Sequence, residues 1–386
     1  MKKVGLLLPR STYYASIGFD MHEGLKQGLL AQGDCDISVI SENIGFGTDH
    51  QKCYEVVEKF LLTEEVDVVL AYISHRTAQL LRPLFKAANK ILVVLDSGAN
   101  LPQEWPSSTN TLYHSLHNSL GNWLAGEKAS QVGLKKAASI TGYYDGGYLH
   151  THAGFVGYTH SGGNILFNHA TGYKKEDFNL TALKEHLALS QSTDCFLSLF
   201  SGDYVQWYFQ ELNKHFNSDE YTVILPPFGL EESVLSETLF PNQKIMGVAA
   251  WSKNLGNKEN SNFIDQMLQN GKIANLFSLL GYEAAFFVTV IIKLMAENHQ
   301  NGKEACKSLM DMEFQTPRGK VVFHKATQTS IAPMYHAEVV PDEKRMSQVN
   351  VKEEIDLGQV FDTYDSMVSI PLNNATSGWI NSYTCI

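Results

Sequence analysis

The residues best suited to chemistry stand in five short polar and aromatic segments, each following an apolar run. They are Pro9–Gly18, which contains Tyr14, then Ser74-His75-Arg76-Thr77, Asp96-Ser97-Gly98, Thr141–Tyr148 and Ser201-Gly202-Asp203-Tyr204. Each precedes a stretch with helical periodicity, so unpaired backbone N–H groups at a helix start would face the same space as these side chains. Taken singly, such Ser, Thr and Asp residues read as helix N-caps. Five of them at successive strand ends read as a binding cleft, because open α/β sheets hold ligands at that edge.

Catalytic signatures are absent: no GxSxG, HExxH, P-loop or SxxK with its partner motifs is present. Gly45-Phe46-Gly47-Thr48-Asp49-His50 begins like a dinucleotide fingerprint, but His50 stands where the third glycine belongs. The carboxylate pair Glu231-Glu232 reads as the solvated, dipole-favoured start of a helix. Among fourteen histidines, His150 and His152 would point to different sides of a helix, and His114 and His117 have no Cys or carboxylate cluster to complete a metal set. They read as surface or cleft-rim residues. Neither a metal, a cofactor nor an enzyme is expected. Cys35, Cys53, Cys195, Cys306 and Cys385 are widely spaced and read as reduced or buried, with a Cys35–Cys53 bridge the one pairing left open.

The elements that must position these segments alternate regularly. Val4–Leu8, Val66–Ile73 and Ile91–Leu95 are apolar on both faces, as buried parallel strands require. Between them Met21, Leu25 and Leu29 recur every four residues, with Gly24 and Gly28 allowing close backbone approach, and 76–88 repeats the pattern. The series restarts at Ala137–Ile140 and continues through Ile165–Asn168, Cys195–Phe200, Val223–Leu225 and Lys244–Ala250. Helices are expected near 148–161, 179–189, 203–216 and 230–238, then a long apolar core helix over 274–296. Gly319–Phe323 and Pro333–Val340 read as strands, and the tail beyond is polar. The fold class that follows is α/β, with open parallel sheets covered by helices.

Composition narrows the function further. A length of 386 residues fits two domains, and 44% hydrophobic content is that of a globular chain. The balance of 30 Lys and Arg against 41 Asp and Glu, a net charge of −11, argues against nucleic acid and anionic membranes as partners. The most apolar stretch, Ala284–Ile292, is interrupted by Thr289 and flanked by Glu283 and Lys293, so direct membrane insertion is not expected. Met1-Lys2-Lys3 leads straight into a strand with no apolar leader; this fits a cytoplasmic chain, or an exported one whose signal has been removed. Rings are abundant: 20 Phe, 17 Tyr and 5 Trp, enough to line a cleft as well as a core.

At these residues the sequence resembles the type I periplasmic binding proteins, specifically the leucine/isoleucine/valine-binding branch of ABC-transporter receptors. Val4–Pro9 with Tyr14–Gly24 resembles that branch's opening strand, ligand loop and first helix; Ser74–Ala88 and Ile91–Gly98 match its next units. Asp145-Gly146-Gly147-Tyr148, Leu280–Ala285 and Phe314–Phe323 resemble later family segments, so the likeness runs over about residues 3–340. Some features are similar to the amide-sensing and urea-binding relatives.

The resemblance implies two doubly wound, Rossmann-like lobes joined by three crossings near 119–123, 246–252 and 328–333. The first lobe would comprise 1–120 plus 250–330, and the second 121–249 plus 331–386. A ligand would sit between lobes that close on it, in the manner of a Venus flytrap. Carried over by position, the family's ligand tyrosine is kept as Tyr148, while its first-lobe Ser and Thr fall on His75 and Gly98 and its second-lobe Glu on Phe228. An ammonium group would then lack its acid unless Asp96 or Asp203 substitutes. Tyr14, Tyr148, Phe228 and Trp251 would form an aromatic box, with His75, Asp96, Ser97, Gly98 and Ser201 as polar contacts. The expected function is an extracytoplasmic, monomeric solute-binding receptor of an ABC importer, working with a membrane permease and taking a small polar or aromatic molecule, amino-acid-like or amide-like. The alternative is a cytoplasmic small-molecule sensor controlling a protein partner.

Overall fold

Strand and helix alternate from the first residues of the structure, a computed structural model describing residues 2–12, 14–33, 36–101, 110–143, 149–189, 192–217 and 220–369. The first series is β1 (Lys2–Leu8), α1 (Ile17–Ala31), β2 (Ile37–Asn43), α2 (His50–Leu62), β3 (Val68–Tyr72), α3 (His75–Ala88), β4 (Ile91–Asp96) and β5 (Thr111–Ser115). The second is α4 (Asn118–Gln131), β6 (Lys136–Thr141), α5 (Leu149–His160), β7 (Asn164–Ala170), α6 (Thr181–Leu189), β8 (Cys195–Leu199), α7 (Asp203–His215), β9 (Thr222–Leu225), α8 (Glu232–Leu235) and β10 (Lys244–Ala249). The chain then returns through α9 (Lys258–Gln269), α10 (Leu276–Ala296), α11 (Gly302–Met310), β11 (Phe314–Thr316), β12 (Gly319–His324) and β13 (Thr329–Ile331). It ends in β14 (Met334–Pro341), β15 (Ser347–Ile355) and α12 (Leu357–Ser369).

These strands make two doubly wound sheets. One has the order β11-β12-β13-β5-β4-β3-β1-β2, the other β15-β14-β10-β9-β8-β6-β7. The βα units pair in parallel, while β11–β12, β12–β13, β10–β14 and β14–β15 are antiparallel. The chain therefore passes between sheets three times: from β5 into α4, from β10 into α9, and from β13 into β14.

Burial explains the strand texture. In the first sheet Val4, Leu6, Leu70 and Val93 face α1 and α10, while Leu7, Val69, Leu92 and Val94 face α2 and α3. The apolar face of α1 meets α10 through glycines: a Cβ on Gly24 would lie 1.9 Å from the Ser278 carbonyl oxygen. By length and composition α10 is apolar enough to cross a membrane, yet most of it is buried against the first sheet. An Asn275 capping box starts it.

The structure adds elements that apolar runs do not announce. Strand β2 (ISVISEN) is a half-exposed edge strand, and α2, α4, α9, α11 and α12 occupy stretches whose polarity hides them. From β15 in the second sheet, α12 returns to pack Tyr364 against His117, its hydroxyl 3.2 Å from Thr327 Oγ1. Gly45 and Gly47, both at positive φ, form only the turn into α2, whose N-cap is Asp49. Cys53, Cys195 and Cys306 are buried free thiols; Cys35 and Cys385 lie outside the described residues.

Candidate functional site

In each sheet the chain winds outward in both directions from its first strand. The crevices outside the C-terminal ends of β1/β3 and β6/β8 are therefore the topological switch points where doubly wound sheets hold ligands. Tyr14 follows β1, and Gly202 follows β8. The Gly202 N–H donates to the Tyr14 hydroxyl at 3.2 Å, a direct bond between the two switch points.

Three further rings enclose that contact. Tyr14 meets Phe277 edge-on with centroids 4.8 Å apart, Phe228 lies 6.3 Å from Tyr14, and Tyr72 lies 6.4 Å from Phe277. Phe277 is in the first turn of α10, and Phe228 is in the 3-10 turn Pro227–Leu230 after β9. Both sheets therefore contribute rings to one buried cluster, in edge-to-face pairs that aromatic quadrupoles favour. Burial, and then the nearby Glu231 carboxylate, push the Tyr14 hydroxyl well above its usual range, so it is held neutral.

Glu231 corrects the sequence reading. The Glu231-Glu232 pair does start a helix, but both residues are buried, at 2% and 7% exposure, rather than solvated. Glu232 receives the Ser252 hydroxyl at 3.2 Å and the Lys253 N–H at 2.7 Å. The Glu231 Oε2 accepts from the Ser233 hydroxyl and from the Val234 N–H, while its Oε1 has no hydrogen-bond partner among the described residues. Burial raises the Glu231 pKa against the opposing pull of Ser233, Val234 and, across the cleft, the Leu276 backbone of α10.

A second polar group gathers at the end of β4. His75 Nε2 lies 3.4 Å from Asp96 Oδ2, which the Ser115 hydroxyl also approaches at 3.4 Å. Burial opposes charge on Asp96, but the His75 side chain and the Gly98 N–H outweigh it and hold the carboxyl below its usual value. Gly98 has φ +74°, and a Cβ there would fall 2.4 Å from the His117 backbone, so the loop demands glycine. His75, Asp96, Asn100, Ser115, His117 and Tyr364 line a cavity of about 10 Å³, room for one water. Asn118 joins the two groups: its N–H donates to the Ser97 carbonyl at 3.0 Å, and its Oδ1 accepts from the Phe228 N–H at 3.2 Å.

The expected site residues thus fall into sets. Tyr14 and Phe228 come together beside Ser201, whose neighbour Gly202 makes the bond to Tyr14. His75, Asp96, Ser97 and Gly98 form the β4 group. Trp251 joins neither: its Nε1 donates to Asn260 Oδ1 at 2.7 Å and its ring packs edge-on against Phe263 of α9. Tyr148 lies outside the described residues. The sequence reading did not select Phe277, Glu231 or Asn118. Phe277 was findable, because Asn275 announces the start of an apolar helix. Nothing in the sequence marks Glu231 as buried.

The histidines expected at the surface or rim include two that support the crossings. His114 and His117 are buried, at 0% and 4% exposure. His117 lies 2.6 Å from the Ser330 carbonyl, and His114 Nδ1 lies 2.8 Å from the Ser330 hydroxyl, which ties the end of β5 to β13. Burial pushes the His117 pKa down from 6.5 to about 4. Its neutral form favours the fold, so this contribution is full above pH 6.5 and is lost as pH falls through 4. Denaturant melts should show stability falling by about 3 kcal/mol over that window from this group. The loss should be absent from His117→Asn, since Asn tolerates the left-handed backbone that His117 adopts. Equal pH slopes in both proteins would refute the assignment.

Comparison with known proteins places this geometry. The profile of the periplasmic binding protein family matches residues 2–344. An ABC-transporter substrate-binding protein from Sphaerobacter thermophilus superposes with TM-score 0.78 at 15% identity, covering 92% of this chain and 97% of that one. A solute-binding protein from Rhodopseudomonas palustris BisB5, in complex with 3,4-dihydroxybenzoic acid, gives TM-score 0.72 at 16% identity with the same coverage. A branched-chain amino acid binding protein from Burkholderia xenovorans LB400 gives 0.73 at 14%, covering 94% and 97%. A search of curated protein sequences finds no match. Two doubly wound sheets, three crossings and a profile match over most of the chain lead to one conclusion: the chain belongs to the periplasmic binding proteins of type I, in their leucine/isoleucine/valine-binding branch.

Proposed function

We propose that the chain is the solute-binding receptor of an ABC importer, taking a small amino-acid-like, amide-like or aromatic molecule between its lobes and presenting the closed form to a membrane permease. On this reading it works outside the cytoplasmic membrane, as a monomer, and catalyses nothing. The observation that carries the reading is the Tyr14–Gly202 hydrogen bond inside a ring cluster drawn from both sheets. Two facing switch points held that closely bring buried rings beside a few polar groups, the residue types that usually line a small-molecule pocket. Support also comes from relatives of the same fold that were solved with benzoate and with dihydroxybenzoic acid.

Mechanism on this reading is a shift of population. The ligand bridges both lobes, binds the closed form more tightly than the open one and so raises its share. A thermal-shift panel of amino acids, amides, urea, aromatic acids and polyamines tests it, because a ligand of the folded state raises apparent stability. At least one class should give a saturable rise, and a flat panel sinks the proposal. Tyr14→Phe removes the bond to Gly202 while keeping the ring. It should disfavour the closed form by about 1 kcal/mol and weaken binding about fivefold. Small-angle scattering of the ligand-free protein should show a more open average, and an unchanged profile would rule out a closing role for this bond.

A further inference from the structure

Several strand-end donors among the described residues, which could otherwise hold an anion, are already taken by the protein's own acceptors. At the start of α10, Asn275 Oδ1 accepts from Phe277 and Ser278, and the Leu276 N–H faces Glu231. At the end of β4 the Gly98 N–H serves Asp96, and at the start of α4 the N–H groups of Asn118 and Ser119 donate to the Ser97 and Gly98 carbonyls. At the start of α7 the Gly202 N–H donates to Tyr14. Among the described residues Arg318 is the one buried Lys or Arg side chain, and it is paired with Glu283. Arg10 and Arg76, at the strand ends, are exposed.

What this cleft offers instead is acceptor capacity. Glu231 Oε1 is buried without a hydrogen-bond partner, beside the neutral Tyr14 and the Phe228–Phe277 rings. A buried acceptor left unsatisfied costs free energy until a donor reaches it, and ring faces favour a cation nearby. An incoming carboxylate would meet Glu231 with no buried Lys or Arg among the described residues to balance it, and Asp96 with its balancing partner His75 already beside it, and like charges brought together at an interface are strongly disfavoured.

We propose that this cleft rejects carboxylates and takes a flat ligand with a neutral or cationic N–H-donating headgroup, an amide or amidinium, with Glu231 as the residue that sets this charge preference. The inference rests on the receptor reading above. It separates this chain from relatives solved with aromatic carboxylates.

Three probes of one shape decide it: benzoate, benzamide and benzamidine, titrated calorimetrically into the full chain at pH 7. Benzamidine and benzamide should bind about tenfold or more tightly than benzoate, since charge complementarity sets specificity. Glu231→Gln should reduce the benzamidine-to-benzoate ratio about tenfold, and Asp96→Asn serves as the second variant should the first not fold. Benzoate binding as tightly as benzamidine would overturn the inference and leave the receptor reading intact. Binding of none of the three would also overturn it, and the receptor reading would then be judged on the wider thermal-shift panel.

Discussion

Arg318→Met should cost about 4 kcal/mol of stability, the largest loss expected from any single polar substitution in this protein. Arg318 is 1% exposed, and its Nε and Nη2 reach Glu283 Oε2 at 2.9 and 2.7 Å. Glu283 also accepts the Thr316 hydroxyl at 2.6 Å and lies 3.3 Å from His114 Nε2. Burial alone would push Glu283 up, but the Arg318 charge prevails and holds it down to about 2. Removing the guanidinium leaves a buried carboxylate whose strongest partner is gone. The double variant Arg318→Met with Glu283→Gln should recover a good part of the loss, because it removes the stranded charge as well. Urea denaturation of the two singles and the double checks this, and strict additivity would count against it.

The same arginine has a mechanical role. Its Nη1 donates to the Ser115 carbonyl at 3.1 Å, where the chain leaves the first sheet, and its own carbonyl accepts the Tyr335 hydroxyl from the second sheet at 2.7 Å. The network therefore ties α10, whose first turn supplies Phe277, to the segments where the chain passes between the two sheets. The pH sign agrees with the histidine argument. A depressed carboxylate stabilises above its unfolded value near 4.5, and this stability is lost as pH falls toward about 2.

Gly24→Ala is the second large effect, and its sign is diagnostic. By helix propensity alone, alanine at an interior position of α1 should stabilise by about 1 kcal/mol. In the fold, the new Cβ would lie 1.9 Å from the Ser278 carbonyl oxygen, on backbone that cannot swing aside as a side chain tip can. Gly28 faces the Tyr282 carbonyl and Gly281 the Met21 carbonyl in the same way, so α1 and α10 cross on bare backbone along their contact. Separating the helices should cost about 3 kcal/mol and displace Phe277 from Tyr14. Thermal melts of Gly24→Ala check the sign; a raised midpoint would show that the crossing relaxes freely.

The ring cluster shows how far a sequence reading reaches. Tyr14 follows an apolar run, and strand-end position is legible wherever a buried parallel strand leaves an uninterrupted apolar signature. Strand β5 carries no such signature: it reads TLYHS, and His114 becomes acceptable in the interior only because Ser330 and Glu283 meet it there. Trp251 packs differently. An indole after a strand end looks like a cleft wall, yet Asn260, nine residues on, satisfies its N–H within α9's packing.

By itself the sequence determined the alternation of strands and helices, the α/β class, the strand ends as the chemical edge and the glycines that allow helices to touch. These follow from local periodicity and from which residues tolerate which backbone. Only the tertiary structure decided which strand ends face one another, that Glu231 is buried across from α10, and that Arg318 and not a surface lysine balances Glu283. Burial and charge pairing depend on contacts between segments tens to hundreds of residues apart, as with Tyr14 and Gly202. No local pattern encodes them.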